Sequence, residues 1–181
     1  IPGHTGIESI RESRDRGVKF SVITNSLAAS DVPAVHTAYR RYRPELLRMG
    51  VDLYELNPDR VTRSLRMGLF GKTSASLHAK AAVIDRKTVF IGSLNFDPRS
   101  EMLNTELGLI IESPVLAAQA LTLMDLIKQQ GAYHLRLEKD GRGIEWLGGA
   151  GEAPLTSEPD ARLWQRFLLE LMSVLVPEAH L

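Results

Sequence analysis

Residues 77–95 read LHAKAAVIDRKTVFIGSLN, and the organisation of the chain is worked out from how this stretch divides. Residues 77–84 and 89–91 are apolar, strand-like runs separated by the polar Asp85-Arg86-Lys87-Thr88, a pattern that predicts a β-hairpin. Residues two apart on a strand share a face, so His78 and Lys80 project together while Leu77, Ala79 and Ala81 point the other way. A two-residue turn at Arg86-Lys87 would set Asp85 opposite Thr88, Lys80 opposite Ser93 and His78 opposite Asn95. Cross-strand partners have Cβ atoms about 5 Å apart, which would gather four polar groups on one patch of apolar sheet. That pairing depends on the turn: Arg-Lys is poor at the positive φ angles of two-residue hairpins, and a longer loop shifts the register.

Outward from the hairpin, helix and strand alternate. Thr5 and Glu8 have the spacing of a capping box, and Gly17 is placed to end a first helix; residues 18–24 then read as a strand. Ser30 or Asp31 can cap a second helix with Pro33 in its first turn, and Val35, Tyr39, Tyr42, Leu46 and Leu47 recur near helical period until Gly50. Residues 51–56 read as another strand, and residues 57–72, where Arg60, Arg63, Arg66 and Lys72 accumulate, as a surface segment. Beyond the hairpin come a strand at 106–111, a helix from Ser113-Pro114 to about Gln130, and a second hairpin of 133–137 and 144–147 around Asp140-Gly141. Residues 148–159 have the composition of a linker. Trp164, Phe167, Leu168, Leu171 and Leu175 then lie on one helical face, ended by Pro177, and suit core packing or a membrane-lying surface. Helix then strand, twice over, predicts a layered α/β domain at residues 1–150, with 151–181 as linker and C-terminal helix.

Composition narrows the function. The chain has 181 residues, enough for one domain, and its 22 basic residues balance 22 acidic ones. A neutral chain has no long-range field to hold a polyanion, which counts against a dedicated nucleic-acid binder. Arg40, Arg41, Arg43 and Arg48 cluster on the second helix, as a solvated face or a meeting point for anionic headgroups. The absence of cysteine removes disulfides and thiolate metal sites. No apolar run approaches the roughly 20 residues needed to span a bilayer, so any contact with membrane is expected at its surface. The chain begins at Ile1 rather than Met, and is expected to be a piece of something longer.

The polar patch suits a phosphodiester. The His78 imidazole can attack phosphorus or protonate a leaving alkoxide near neutral pH, Lys80 can neutralise non-bridging oxygens, and Ser93 and Asn95 can donate hydrogen bonds to them. This chemistry requires neither metal nor cofactor.

His78-x-Lys80, Asp85 after four residues and Gly92-Ser93-x-Asn95 after six more match at every position the signature of the phospholipase D superfamily, which the chain resembles. The surroundings look most like bacterial cardiolipin synthases and related phosphatidyltransferases without transmembrane helices, through Ile1-Pro2-Gly3, Thr24-Asn25-Ser26-Leu27, the run from Val35 to Leu56, and Arg99-Ser100 through Asn104 and Glu106. The resemblance implies a mixed β-sheet flanked by helices on both faces, and a covalent phosphohistidine mechanism in which one motif histidine attacks and another acts as general acid. It implies that Glu106 holds the imidazole and that Asp85 is more structural than chemical. The implied partners are an anionic phospholipid and a peripheral contact with membrane, at the cytoplasmic face of the bacterial inner membrane. Synthases of this type carry two copies of the signature. Here there is one, since none of His4, His36, His134 and His180 is followed two residues on by lysine. The chain is therefore expected to be either the C-terminal half of such an enzyme, completed by an N-terminal half with the second motif, or a single-motif phosphodiesterase or nuclease that pairs two copies. A non-catalytic fragment is the third expectation.

Overall fold

The computed structural model describes residues 3–30, 33–60, 78–93 and 105–161, together with Trp164 and Phe167. The chain is α/β, as expected, and runs α1 (Gly3–Asp15), β1 (Ser21–Asn25), α2 (Pro33–Arg48), β2 (Asp52–Leu56), β3 (Lys80–Ile84), β4 (Thr88–Gly92), β5 (Gly108–Glu112), α3 (Pro114–Gln130), β6 (Ala132–Leu137) and β7 (Ile144–Leu147). Among the described residues the strands form two sheets rather than one: a mixed sheet ordered β1-β2-β6-β7 and an antiparallel sheet ordered β3-β4-β5.

Both early helices stop at glycines for a stated reason. Gly17 at φ 87° and Gly50 at φ 74° take the left-handed conformation that ends a helix. Val18 N–H donates to the Ser13 carbonyl and Gly17 N–H to that of Arg14, and Val51 and Gly50 repeat the pattern on Leu46 and Leu47. The helix starts differ from expectation. The first helix begins at Gly3, and the Thr5 carbonyl accepts from Ser9 Oγ at 3.0 Å inside the helix, so Thr5 and Glu8 form no capping box. Asp31, the alternative cap of the second helix, lies outside the described residues.

β1 and β2 pair in parallel, with α2 as the crossover between them. α2 covers one face of the mixed sheet, where Tyr39, Leu53, Tyr133, Leu135 and Trp146 are buried together, and Ile7, Leu46 and Val51 fill the space between α1 and α2. α3 lies toward the opposite face, where Lys128 sits over the Tyr54 ring at 5.4 Å, and continues along β3 and β4. Ser113 caps α3 with its side chain, accepting from Leu116 N–H at 3.2 Å, while its own N–H donates to the Lys87 carbonyl at 2.8 Å. Helix, cap and hairpin are thus tied together.

The stretch that reads as a linker by composition is a strap across the mixed sheet. Leu155 and Trp146 exchange both backbone hydrogen bonds, Arg60 pairs with Glu152, and Glu158 reaches into the core to Arg43. Tyr133 hydroxyl donates to Asp160 Oδ2 at 2.8 Å and accepts from Asn57 Nδ2 at 2.8 Å. Of the final apolar stripe, Trp164 and Phe167 are exposed, not buried in the core; its remaining members lie outside the described residues.

Candidate active site

The hairpin loop is one residue longer than a two-residue Arg86-Lys87 turn and begins one residue earlier. Ile84 pairs with Thr88 and Lys80 with Gly92, leaving Asp85, Arg86 and Lys87 as the loop. Asp85 and Arg86 take positive φ, 51° and 59°, and Lys87 N–H donates back to the Ile84 carbonyl at 3.1 Å. Aspartate tolerates that conformation and arginine bears a steric cost. The expected pairing of Lys80 with Ser93 is therefore corrected to Lys80 with Gly92.

His78 and Lys80 do converge. His78 stands just before β3, exposed, with Nε2 2.9 Å from Lys80 Nζ. A protonated Lys80 can only donate, so in this arrangement Nε2 is the acceptor and the neutral imidazole carries its proton on Nδ1. A nucleophilic or acid-base nitrogen and a cation that can follow a phosphoryl oxygen thus sit at one end of the hairpin. Asp85 lies at the other end, separated from Lys80 by the length of β3, about 17 Å at the usual rise. It shapes the turn and does not meet the imidazole.

Ser93 and Glu106 form a second group at the His78 end of the sheet. Ser93 Oγ donates to Glu106 Oε2 at 2.5 Å and accepts from Leu107 N–H at 3.0 Å. Among the described residues the Glu106 carboxylate is bonded to this serine and not to His78. Asn95, with Arg99, Ser100 and Asn104, lies outside the described residues. Sequence reasoning missed the link between Ser93 and Glu106, which depends on the residues before β5 returning alongside the end of β4. The glycines Gly92 and Gly108, paired across these strands, were the available signal.

The basic cluster on α2 is divided by the fold. Arg43 is fully buried, bonded through Nη1 to Glu55 at 2.8 Å and through Nη2 to Glu158. It belongs to the core and not to a headgroup-facing surface. Arg41 and Arg48 instead line a shallow groove of about 540 Å³ with Arg11 and Glu45, and Arg11 pairs with Glu45.

The family profile described as cardiolipin synthase, PLD-like domain, matches residues 1–127. Cardiolipin synthase C of Escherichia coli K12 is 44% identical over 182 residues, covering 98% of this chain and 38% of the relative. An uncharacterized protein of Helicobacter pylori is 34% identical over 185 residues, covering 100% of this chain and 35% of its own length. Cardiolipin synthase A of Yersinia pseudotuberculosis is 26% identical over 125 residues, 69% of this chain and 22% of the relative. Among solved structures, a phospholipase D family member, Nuc from Salmonella typhimurium, aligns at a TM-score of 0.49 with 19% identity, covering 74% of each chain. The chain spans little more than a third of the length of the relatives it matches most fully. With a profile matching residues 1–127 and a relative 44% identical across nearly the whole chain, this protein belongs to the phospholipase D superfamily, in the family of cardiolipin synthase PLD-like domains.

Proposed function

We propose that this chain is the C-terminal catalytic half of a phosphatidyltransferase acting on phospholipid phosphodiesters through a phosphohistidine intermediate. The observation that carries the reading is the approach of Lys80 Nζ to His78 Nε2 at 2.9 Å, in a chain of the cardiolipin synthase-like family. The reaction needs two imidazoles. One attacks phosphorus, forming an N–P bond, while the other gives its proton to the departing alkoxide as the P–O bond breaks. The second, now neutral, takes the proton of an acceptor hydroxyl as that oxygen displaces the phosphohistidine. Lys80 and Asn95 stabilise the charge on the non-bridging oxygens, Glu106 orients an imidazole, and Asp85 holds the turn.

This chain supplies one signature imidazole, in the role of general acid by family resemblance, and an N-terminal half supplies the other. The substrate is an anionic glycerophospholipid reached from the membrane surface, at the cytoplasmic face of the inner membrane. No helix among the described residues is long and apolar enough to cross a membrane.

The test is His78→Ala in the native full-length protein, assayed on phosphatidylglycerol. Loss of a general acid alone lowers turnover by about 10²- to 10⁴-fold, and loss of a nucleophile by more. Residual activity within a few-fold of the parent ends the case. Trapping radiolabelled phosphate on a peptide containing residues 77–85 makes His78 the nucleophile and reverses the assignment of general acid.

A further inference from the structure

The close approach of β4 and β5 at their Gly92–Gly108 pair decides what Ser93 can do. A Cβ on Gly92 would stand 2.8 Å from the Leu107 carbonyl oxygen, and one on Gly108 would stand 2.5 Å from the Phe90 ring. Neither position has space for a side chain, so the backbone at 106–108 lies directly against that at 92–93. Ser93 joins the two twice through backbone groups: its N–H donates to the Leu107 carbonyl at 2.9 Å, and Leu107 N–H donates to Ser93 Oγ at 3.0 Å. The hydroxyl then reaches Glu106 Oε2 at 2.5 Å, against 3.4 Å to the Leu107 carbonyl. The shorter, charge-assisted contact takes the proton.

A serine hydroxyl has one proton and two lone pairs. Here the proton goes to Glu106 and one lone pair to Leu107 N–H, and the remaining lone pair cannot bind an oxyanion. Ser93 can donate to Glu106 or to a phosphoryl oxygen, not to both.

We propose that Ser93 is a positioning residue for Glu106 and not a ligand of the transferred phosphoryl group. Fixed by Leu107 on one side, its hydroxyl holds Oε2 of the carboxylate and leaves Oε1 to accept from an imidazole N–H. Gly92 serves the same end by admitting the Leu107 carbonyl. The inference rests on the reading that Glu106 and a motif imidazole serve one site.

Two measurements test it. The first needs no turnover: the Glu106 side-chain carboxyl resonance, in protein carrying ¹³C-labelled glutamate and assigned with Glu106→Gln, is compared at one neutral pH among the parent, Ser93→Ala and Ser93→Thr. The resonance should move in Ser93→Ala and return toward the parent in Ser93→Thr, which keeps the hydroxyl. An unmoved resonance overturns the proposal.

The second is kinetic, with the same variants in the native full-length protein on phosphatidylglycerol. Loss of a hydrogen bond to a charged group predicts a kcat about 10- to 100-fold lower, with KM within twofold of the parent, a shifted acidic limb of the pH profile and recovery by threonine. A raised KM with kcat retained makes Ser93 a phosphate ligand and overturns the proposal. If His78→Ala keeps full activity, the proposed function fails, while the resonance still decides whether Ser93 holds Glu106.

Discussion

A guanidinium taken out of water costs several kcal/mol unless its charge and its donors are met, and around Arg43 the charge and both terminal nitrogens are met, while Nε is buried without a hydrogen bond. Glu55 accepts from one terminal nitrogen and Glu158 from the other, Trp146 Nε1 donates to the free oxygen of Glu55 at 2.8 Å, and the guanidinium lies 5.4 Å from the Tyr39 ring and 5.1 Å from that of Trp146. Burial alone would push the Glu158 carboxyl up, but His36 Nε2, 3.4 Å from Oε2, and the charge and hydrogen bond of Arg43 hold it down, to about 2 from an ordinary 4.5. A carboxyl depressed by folding stabilises the native state above its unfolded value, and that contribution disappears as pH falls from about 4.5 through about 2. Its size is on the order of 3 kcal/mol. Glu158→Gln should therefore lower stability at neutral pH by about that amount and flatten the acid limb. Urea midpoints of parent and variant, measured from pH 7 to pH 2, should converge toward the acid end, and curves that stay parallel would remove Glu158 from this role.

At the scale of elements, the strain in the hairpin loop gives the sharpest expectation. Arg86 holds a φ of 59°, a conformation that glycine adopts freely and a residue with a Cβ does not. Arg86→Gly should raise the stability of the hairpin by up to about 1 kcal/mol, offset in part by the greater freedom of glycine in the unfolded chain. Thermal unfolding reads the sign, and a clear fall in Tm would mean the Arg86 side chain contributes more than its backbone costs.

The same loop marks the limit of what the sequence discloses. Local patterns disclose the helices ended by Gly17 and Gly50, the apolar strands and the capping Ser113, because each depends on neighbours within a few residues. Register depends on which residues the loop absorbs, and nothing in an arginine advertises a left-handed backbone, so Lys80 was expected one residue from its partner. The strap was illegible for another reason: Glu158 meets Arg43 across 115 positions, and a segment of glycine, proline and acids looks like a linker until its distant partners are known. At the site, the spacing of His78 and Lys80 disclosed their shared end of the hairpin, whereas the bond between Ser93 and Glu106 required a return of the chain that no local pattern encodes.

For the whole molecule, the antiparallel sheet presents an apolar face around the candidate site. Register sets Lys80, Ala82 and Ile84 beside Thr88, Phe90 and Gly92, and these beside Glu112, Ile110 and Gly108, all on one face. Ile84 is 54% exposed there and Ile110 75% exposed. Contiguous apolar surface of this kind favours association. The proposed mechanism needs two imidazoles and this signature supplies one, so on that proposal a second imidazole-bearing half or copy is expected against this face. The isolated chain should therefore fold, lack turnover as a monomer, and gain weak phosphodiesterase activity in proportion to the dimer as concentration rises. Ile110→Lys places a charge at an exposed position, so it should leave the fold intact while suppressing both association and activity. Sedimentation across a concentration series, run beside assays on phosphatidylglycerol and a chromogenic phosphodiester, separates the outcomes. Activity that follows the dimer and disappears with Ile110→Lys supports pairing across this face. Robust turnover by a demonstrated monomer would mean that one signature imidazole suffices, and the half-site reading would fall.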